Sequence, residues 1–121
     1  MVVLDASAML AYLREEPGGA ITKQALDDGA TCSAVNWAEV AQKTHQNGDD
    51  WPARSALLAG FDLVIEPVTR EDAEWAAACW ADRPTLSLAD RLCLALAHRL
   101  GGPALTADAA WGVSEAVRQI R

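Results

Sequence analysis

The first residues of the chain, Met1-Val2-Val3-Leu4, are apolar without alternation, and Asp5 follows them at once. An alternating pattern would suit a strand with one wet face. An unbroken one suits a strand covered on both faces, at the centre of a parallel sheet. Ala8 to Leu13 can then turn into a helix. Asp5 therefore stands at the carboxyl end of a strand, where open α/β sheets form their ligand crevice. Asp and Ser are also ordinary turn and helix-capping residues, so Asp5 alone decides little. The arrangement, however, recurs along the chain.

A short helix runs from Ala8 to Glu16, stopped by Pro17-Gly18-Gly19, and a second from Ala20 to Asp28, stopped by Gly29. Ala30–Ser33 is a short strand, and Ala34 to about Asn47 is a helix with Glu39 in its first turn or so. Trp51-Pro52 opens a helix through Leu58, closed by Gly60, and Leu63–Val68 is a third strand ending near Pro67. Glu71 to Asp82 reads as a helix with Ala73, Ala76, Ala77 and Trp80 facing inward. Its acidic start (Glu71, Asp72, Glu74) suits the helix dipole and a solvated position. Ser87 to Leu100 has the strongest helical rhythm, in Leu88, Leu92, Ala95, Leu96 and Arg99, and Gly101-Gly102 closes it. Pro103–Thr106 forms a fourth strand, Ala107–Gly112 a turn with one helical turn, and Ala116–Ile120 a fifth, edge strand. Strands separated by helices imply parallel pairing. The expected fold is a single α/β domain over residues 1–121, a mostly parallel central sheet of about five strands flanked by helices.

At 121 residues, 51% hydrophobic and 22% charged, the chain has the size and composition of one globular domain. No apolar run approaches the ~20 residues that span a bilayer, and the N-terminal apolar stretch is too short for a secretory signal and has no basic leader. Cys32, Cys79 and Cys93 are scattered and form no CxxC pair, against zinc and against a disulfide framework. Cys93 falls in a helical apolar pattern and reads as core. A reducing cytoplasm is the expected compartment. The net charge of −7, from 17 acids and 10 bases, argues against a conventional nucleic-acid binder with a basic face. An acidic protein can still act on RNA if its acids bind metal ions.

Four acids are candidates for that role. Asp5 and Asp108 follow strands directly; Glu39 and Asp90 lie near the starts of helices. In a parallel sheet all four face the same edge. Each also has a bland explanation: Ser87-x-x-Asp90 has the spacing of a capping box, Asn36-x-x-Glu39 shares it, and Asp108 can cap the turn after it. Together the bland explanations are strained, because converging carboxylates repel in a partly buried crevice unless something positive fills it. An oxygen-only set without His or Cys favours a hard cation, Mg²⁺ or Mn²⁺, and such sites commonly serve phosphoryl transfer. Two divalent ions would offset more than half of the net charge.

These segments resemble the PIN-domain nucleases, and most closely their small VapC-type toxins. The resemblance rests on Val2-Val3-Leu4-Asp5-Ala6-Ser7-Ala8, Ser33-Ala34-Val35-Asn36-Trp37-Ala38-Glu39-Val40, the run from Leu86 to Ala97 and the run from Leu105 to Trp111. Each motif is loose, but four in register are specific. Trp51 to Pro84 matches only in pattern, and Thr85 stands where family members often have a glycine. The resemblance implies a PIN-like fold and a Mg²⁺- or Mn²⁺-dependent endoribonuclease acting on RNA. It further implies a protein that is often a homodimer and is held inactive by a small cognate antitoxin. It implies Asp5, Glu39, Asp90 and Asp108 as metal-binding acids, with Ser7 and Thr106 as hydroxyl helpers.

Two other classes compete. One is a PIN-fold module without activity that only binds a protein partner; the full set of acids counts against it. The other is a receiver or phosphatase of similar topology, which would need a second Asp two residues after Asp5, where Ser7 stands, or a lysine after Leu105-Thr106, where none follows. Trp37 and Trp111 adjoin acid motifs and could line the crevice, Trp51 and Trp80 could lie on a partner surface, and Arg91 could reach a phosphate or pair at the surface. His45 and His98 read as structural.

Overall fold

A computed structural model describes residues 1–121. Five strands, β1 (Val2–Leu4), β2 (Ala30–Ser33), β3 (Val64–Glu66), β4 (Ala104–Thr106) and β5 (Val117–Gln119), form one sheet in the order β3-β2-β1-β4-β5, every neighbouring pair parallel. Six helices connect them: α1 (Ala6–Leu13), α2 (Gly19–Asp28), α3 (Ala34–Gln46), α4 (Trp51–Ala59), α5 (Arg70–Cys79) and α6 (Leu88–Leu100). A 3-10 turn, Ala109–Trp111, follows β4. The expected parallel α/β sheet, with β1 at its centre, is what forms.

The unbroken apolar character of β1 has the predicted cause. Side chains alternate across a strand, and here both faces are covered. Val3 and Ala104 join one core with Cys93, Leu94, Leu96, Ala97, Trp111 and Val117, mostly from α6. Leu4 and Leu105 point the other way, into a larger core built with α1, α2, Val40 of α3 and Leu58 of α4. β3 is shorter than predicted and lies at an edge with Val64 and Ile65 exposed. Pro67 has no N–H with which to extend the ladder. Gly101 closes α6 with a left-handed φ of 72°, and a Cβ on Gly102 would collide with the Met1 carbonyl oxygen where β4 comes alongside β1.

Three expectations about helix faces fail. In α5, only Ala76 of the four predicted inward residues is buried; Ala73, Ala77 and Trp80 are exposed, and the inner face instead carries Asp72 and the half-buried Trp75. In the acidic start of α5, Glu71 and Glu74 are exposed as expected, but Asp72 is not. Asp72 is buried, closes a capping box with Thr69, and accepts two hydrogen bonds from Arg99, Nε to Oδ1 at 3.0 Å and Nη2 to Oδ2 at 3.1 Å. In α6, Leu88 is exposed and the buried run is Cys93–Ala97, because α6 is covered by the sheet on one side and α5 on the other. A helix buried on two sides loses the one-stripe pattern on which helical periodicity relies.

Candidate active site

The chain builds β1, β2 and β3 in one direction, then crosses back to add β4 and β5 on the far side of β1. The order therefore reverses between β1 and β4, and an α/β sheet opens its crevice at such a point, beyond the strand ends. Asp5 and Thr106 occupy those two ends, and Asp5 N–H continues the ladder by donating to Leu105 O at 3.1 Å.

Asp5 is 3% exposed and is the N-cap of α1, its Oδ1 accepting from Ala8 N–H at 2.8 Å. α1 thus begins two residues earlier than its apolar pattern indicates. The Ser7 hydroxyl donates to the same carboxylate, 2.7 Å from Oδ1 and 2.9 Å from Oδ2, and the Thr106 hydroxyl donates to Oδ2 at 2.5 Å. Each hydroxyl in turn accepts a backbone N–H from the loop after β4: Ser7 Oγ from Ala107 at 2.9 Å, Thr106 Oγ1 from Asp108 at 3.0 Å. Both hydroxyl protons are thereby directed at Asp5. Burial drives the Asp5 pKa up, the Thr106, Ala8 and Ser7 hydrogen bonds oppose it, and the Asp90 charge adds to the rise; the result is about 6.

Asp90 is the third residue of α6 and closes the predicted capping box, Ser87 N–H donating to its Oδ2 at 3.2 Å and Asp90 N–H to Ser87 Oγ at 3.1 Å. Glu39 is placed differently from the capping reading. The N-cap of α3 is Ser33, whose Oγ accepts from Val35 N–H, and Glu39 lies in the second turn. Asn36 is inside the helix, and its Nδ2 donates to Glu39 Oε1 at 2.8 Å. Asp108 is exposed, and its Oδ1 accepts from Ala110 N–H at 2.9 Å to cap the 3-10 turn.

Asp5, Asp90 and Glu39 are brought toward one region. The buried Cys93 thiol marks it: burial first, then the charges of Asp5, Asp90, Cys32 and Glu39, push its pKa well above the ordinary thiol range. Asp108, exposed on the loop after β4, is tied to Asp5 through the Thr106 hydroxyl. No three of the acids stand close enough, as placed, to grip a single ion. The donor chemistry nevertheless fits a hard divalent cation: it is all oxygen, and Mg²⁺ keeps several of its waters and takes only one or two carboxylates directly.

Trp37, Trp51, Trp75, Trp111 and Arg91 turn out to be packing residues. Trp111 is 2% exposed in the α6-side core, and Trp37 packs edge-on against Trp51 with ring centroids 5.0 Å apart. Trp80 is exposed and His98 stacks on Trp75. Arg91 pairs with no acid but donates to Ala76 O at 2.8 Å, tying α6 to α5. Two contributions to the site escaped the sequence reading: the Asn36 amide, whose i, i+3 spacing to Glu39 was visible but read as a cap, and the Ala107 and Asp108 N–H groups, for which no side-chain signal exists.

Fold and site define a small doubly wound α/β protein with a buried carboxylate, Asp5, at its switch point. The chain belongs to the PIN domain family, which it matches over residues 2–113. No curated protein matches it by sequence. Among solved structures it is similar to a toxin–antitoxin complex from Klebsiella pneumoniae, with TM-score 0.79 and 19% identity over 100% of this chain and 98% of that one. It is also similar to VapC20 of Mycobacterium tuberculosis, a Sarcin-Ricin loop cleaving toxin, with TM-score 0.71 and 19% identity over 95% of this chain and 98% of the other. A third is VapBC2 from Rickettsia felis bound to a DNA fragment from their promoter, with TM-score 0.72 and 11% identity over 98% of both chains. At these identities the likeness is one of fold. No helix is long and apolar enough to cross a membrane.

Proposed function

We propose that this protein is a Mg²⁺- or Mn²⁺-dependent endoribonuclease, the toxin of a VapBC-type toxin–antitoxin pair. The observation that carries the reading is the buried Asp5 carboxylate at the switch point, with the charges of Asp90 and Glu39 directed toward the same region. Burial disfavours the Asp5 charge and raises its pKa to about 6; a bound divalent cation would relieve that cost, which capping alone does not.

Asp5, Glu39, Asp90 and Asp108 would hold the metal, Asp108 after giving up its cap. When bound, the metal supplies activation of a water and neutralisation of charge on the scissile phosphodiester. Ser7 and Thr106 are hydroxyl auxiliaries that fix the Asp5 oxygens, leaving that carboxylate few orientations. The net charge of −7 makes RNA binding by the bare protein unfavourable, so substrate affinity should itself depend on divalent cation.

The partner is a small cognate antitoxin that covers the acids, an arginine being the group best suited to pair with them bidentately. The toxin works as a homodimer in the cytoplasm, where its RNA is. The deciding experiment is cleavage of a structured RNA by the purified chain with Mn²⁺, compared with Asp5→Asn and Asp90→Asn, and mapping of the new 5′ ends. Cleavage that survives both changes sinks the proposal. A second reading, an inactive module that binds only its partner, draws on the absence of any three acids within reach of one ion. Calorimetric titration separates them, since the inactive module would take up no Mn²⁺ at millimolar concentration.

A further inference from the structure

Asn36 is fully buried in α3, and both of its Nδ2 hydrogens are directed at acceptors of the site. One goes to Glu39 Oε1 at 2.8 Å; the other reaches Ala89 O, the residue before Asp90, at a long 3.5 Å. Because both neighbours are acceptors only, the amide nitrogen must face them and its orientation is determined. The Oδ1 atom, pointing the other way, is buried with no donor to satisfy it. Asn is a poor choice for a helix interior, and a buried unpaired carbonyl is unfavourable besides. An apolar residue of similar volume would suit the packing better, so stability does not account for the amide.

Resting on the nuclease reading above, we infer that Asn36 is a positioning residue: its amide holds the Glu39 carboxylate against the start of α6, setting Glu39 relative to Asp90 for a shared divalent cation. Glu39 sits on the second turn of α3 and has no other hydrogen-bond donor. A glutamate side chain has three rotatable bonds, and the Asn36 contact is what restrains them. Residues that orient metal ligands in this way typically control affinity by about 10–100-fold.

The test is Mn²⁺ titration calorimetry and steady-state RNA cleavage on the full chain, for Asn36→Ala and Asn36→Leu, in wild-type and Glu39→Gln backgrounds. Circular dichroism and melting in EDTA establish that each variant is folded. The Leu variant keeps the volume, so the test survives if the Ala variant does not fold. Both should weaken Mn²⁺ binding about 10–100-fold and lower kcat with KM for RNA unchanged. In the Glu39→Gln background the change at Asn36 should have no further effect, as expected of residues that act as one unit. Wild-type affinity in a folded variant overturns the inference, as does an equal loss in both backgrounds; unfolding of both variants would make Asn36 structural and overturn it too. Failure of the wild type to bind Mn²⁺ or cleave RNA brings down the nuclease reading itself, whereas an active wild type with unaffected Asn36 variants brings down only this inference.

Discussion

Thr106 donates its hydroxyl proton to Asp5 Oδ2 across 101 positions of sequence, closing the gap between β4 and β1 at the point where the sheet reverses order. Thr106 Oγ1 also accepts Asp108 N–H, so a single hydroxyl ties Asp5 to the loop that carries Asp108.

Thr106→Val preserves shape but removes both bonds. It strands the Asp108 N–H and takes a donor from a buried carboxylate, a loss of about 1–3 kcal/mol. Urea unfolding should show a lower midpoint with the slope unchanged. A midpoint equal to that of the wild type would mean the hydroxyl contributes nothing.

The raised Asp5 pKa makes a statement about the metal-free protein. A carboxyl whose folded pKa of about 6 exceeds its ordinary value of 3.8 favours the fold below pH 3.8, and that contribution is lost as pH rises through 6. Two pK units correspond to roughly 3 kcal/mol. In EDTA, the melting temperature of Asp5→Asn minus that of the wild type should therefore grow as pH goes from 4 to 7. A difference that stays flat over this range would contradict the burial argument.

Asp90 has both a structural role and a proposed chemical one, and these come apart on substitution. Asp90 stands at N3 of the capping box, and the amide oxygen of Asn can still accept the Ser87 N–H, so Asp90→Asn should lose little beyond the dipole interaction, ~0.3–1 kcal/mol. Its Mn²⁺-dependent cleavage of RNA should fall by orders of magnitude. Thermal melting in EDTA and the cleavage rate are read on the same preparation. A stable, fully active variant removes Asp90 from the mechanism.

The Asp72–Arg99 pair bears on stability alone. Burial raises the Asp72 pKa, but the Arg99 and Thr69 hydrogen bonds together with the Arg99 charge outweigh it and hold the carboxyl below its ordinary range. Asp72→Asn should destabilise the protein at pH 7 by about 1–3 kcal/mol. This is less than for a fully buried pair, because the Arg99 side chain is 31% exposed. The direction of the shift means the stabilisation is present above the ordinary carboxylate pKa and is lost as pH falls through the folded one. The gap between wild type and variant should thus narrow in acid. Chemical denaturation at pH 7 and pH 3 measures it, and a gap that widens in acid would refute the assignment.

What the sequence determined by itself is local. Unbroken apolar runs at Val2–Leu4 and Ala104-Leu105 specify strands buried on both faces, since no alternation remains to leave one face wet. Gly29 and Gly101 end α2 and α6 because tolerance of φ > 0 is a property of the single residue. Asp5, Glu39, Asp90 and Asp108 could be proposed as one set because Asp5 and Asp108 follow strands that a parallel sheet sends to one edge, with Glu39 and Asp90 near helix starts. Tertiary structure alone decided what touches what there. It took the strand order to make Thr106 the neighbour of Asp5, and the crossing of α5 on α6 to bury Asp72 against Arg99 and expose Leu88. It also took the start at Ser33 to place Asn36 inside its helix, donating to Glu39 and not capping. Contacts of this kind join residues far apart in the chain or depend on where a helix begins by a single residue, and neither leaves a periodic mark in the sequence.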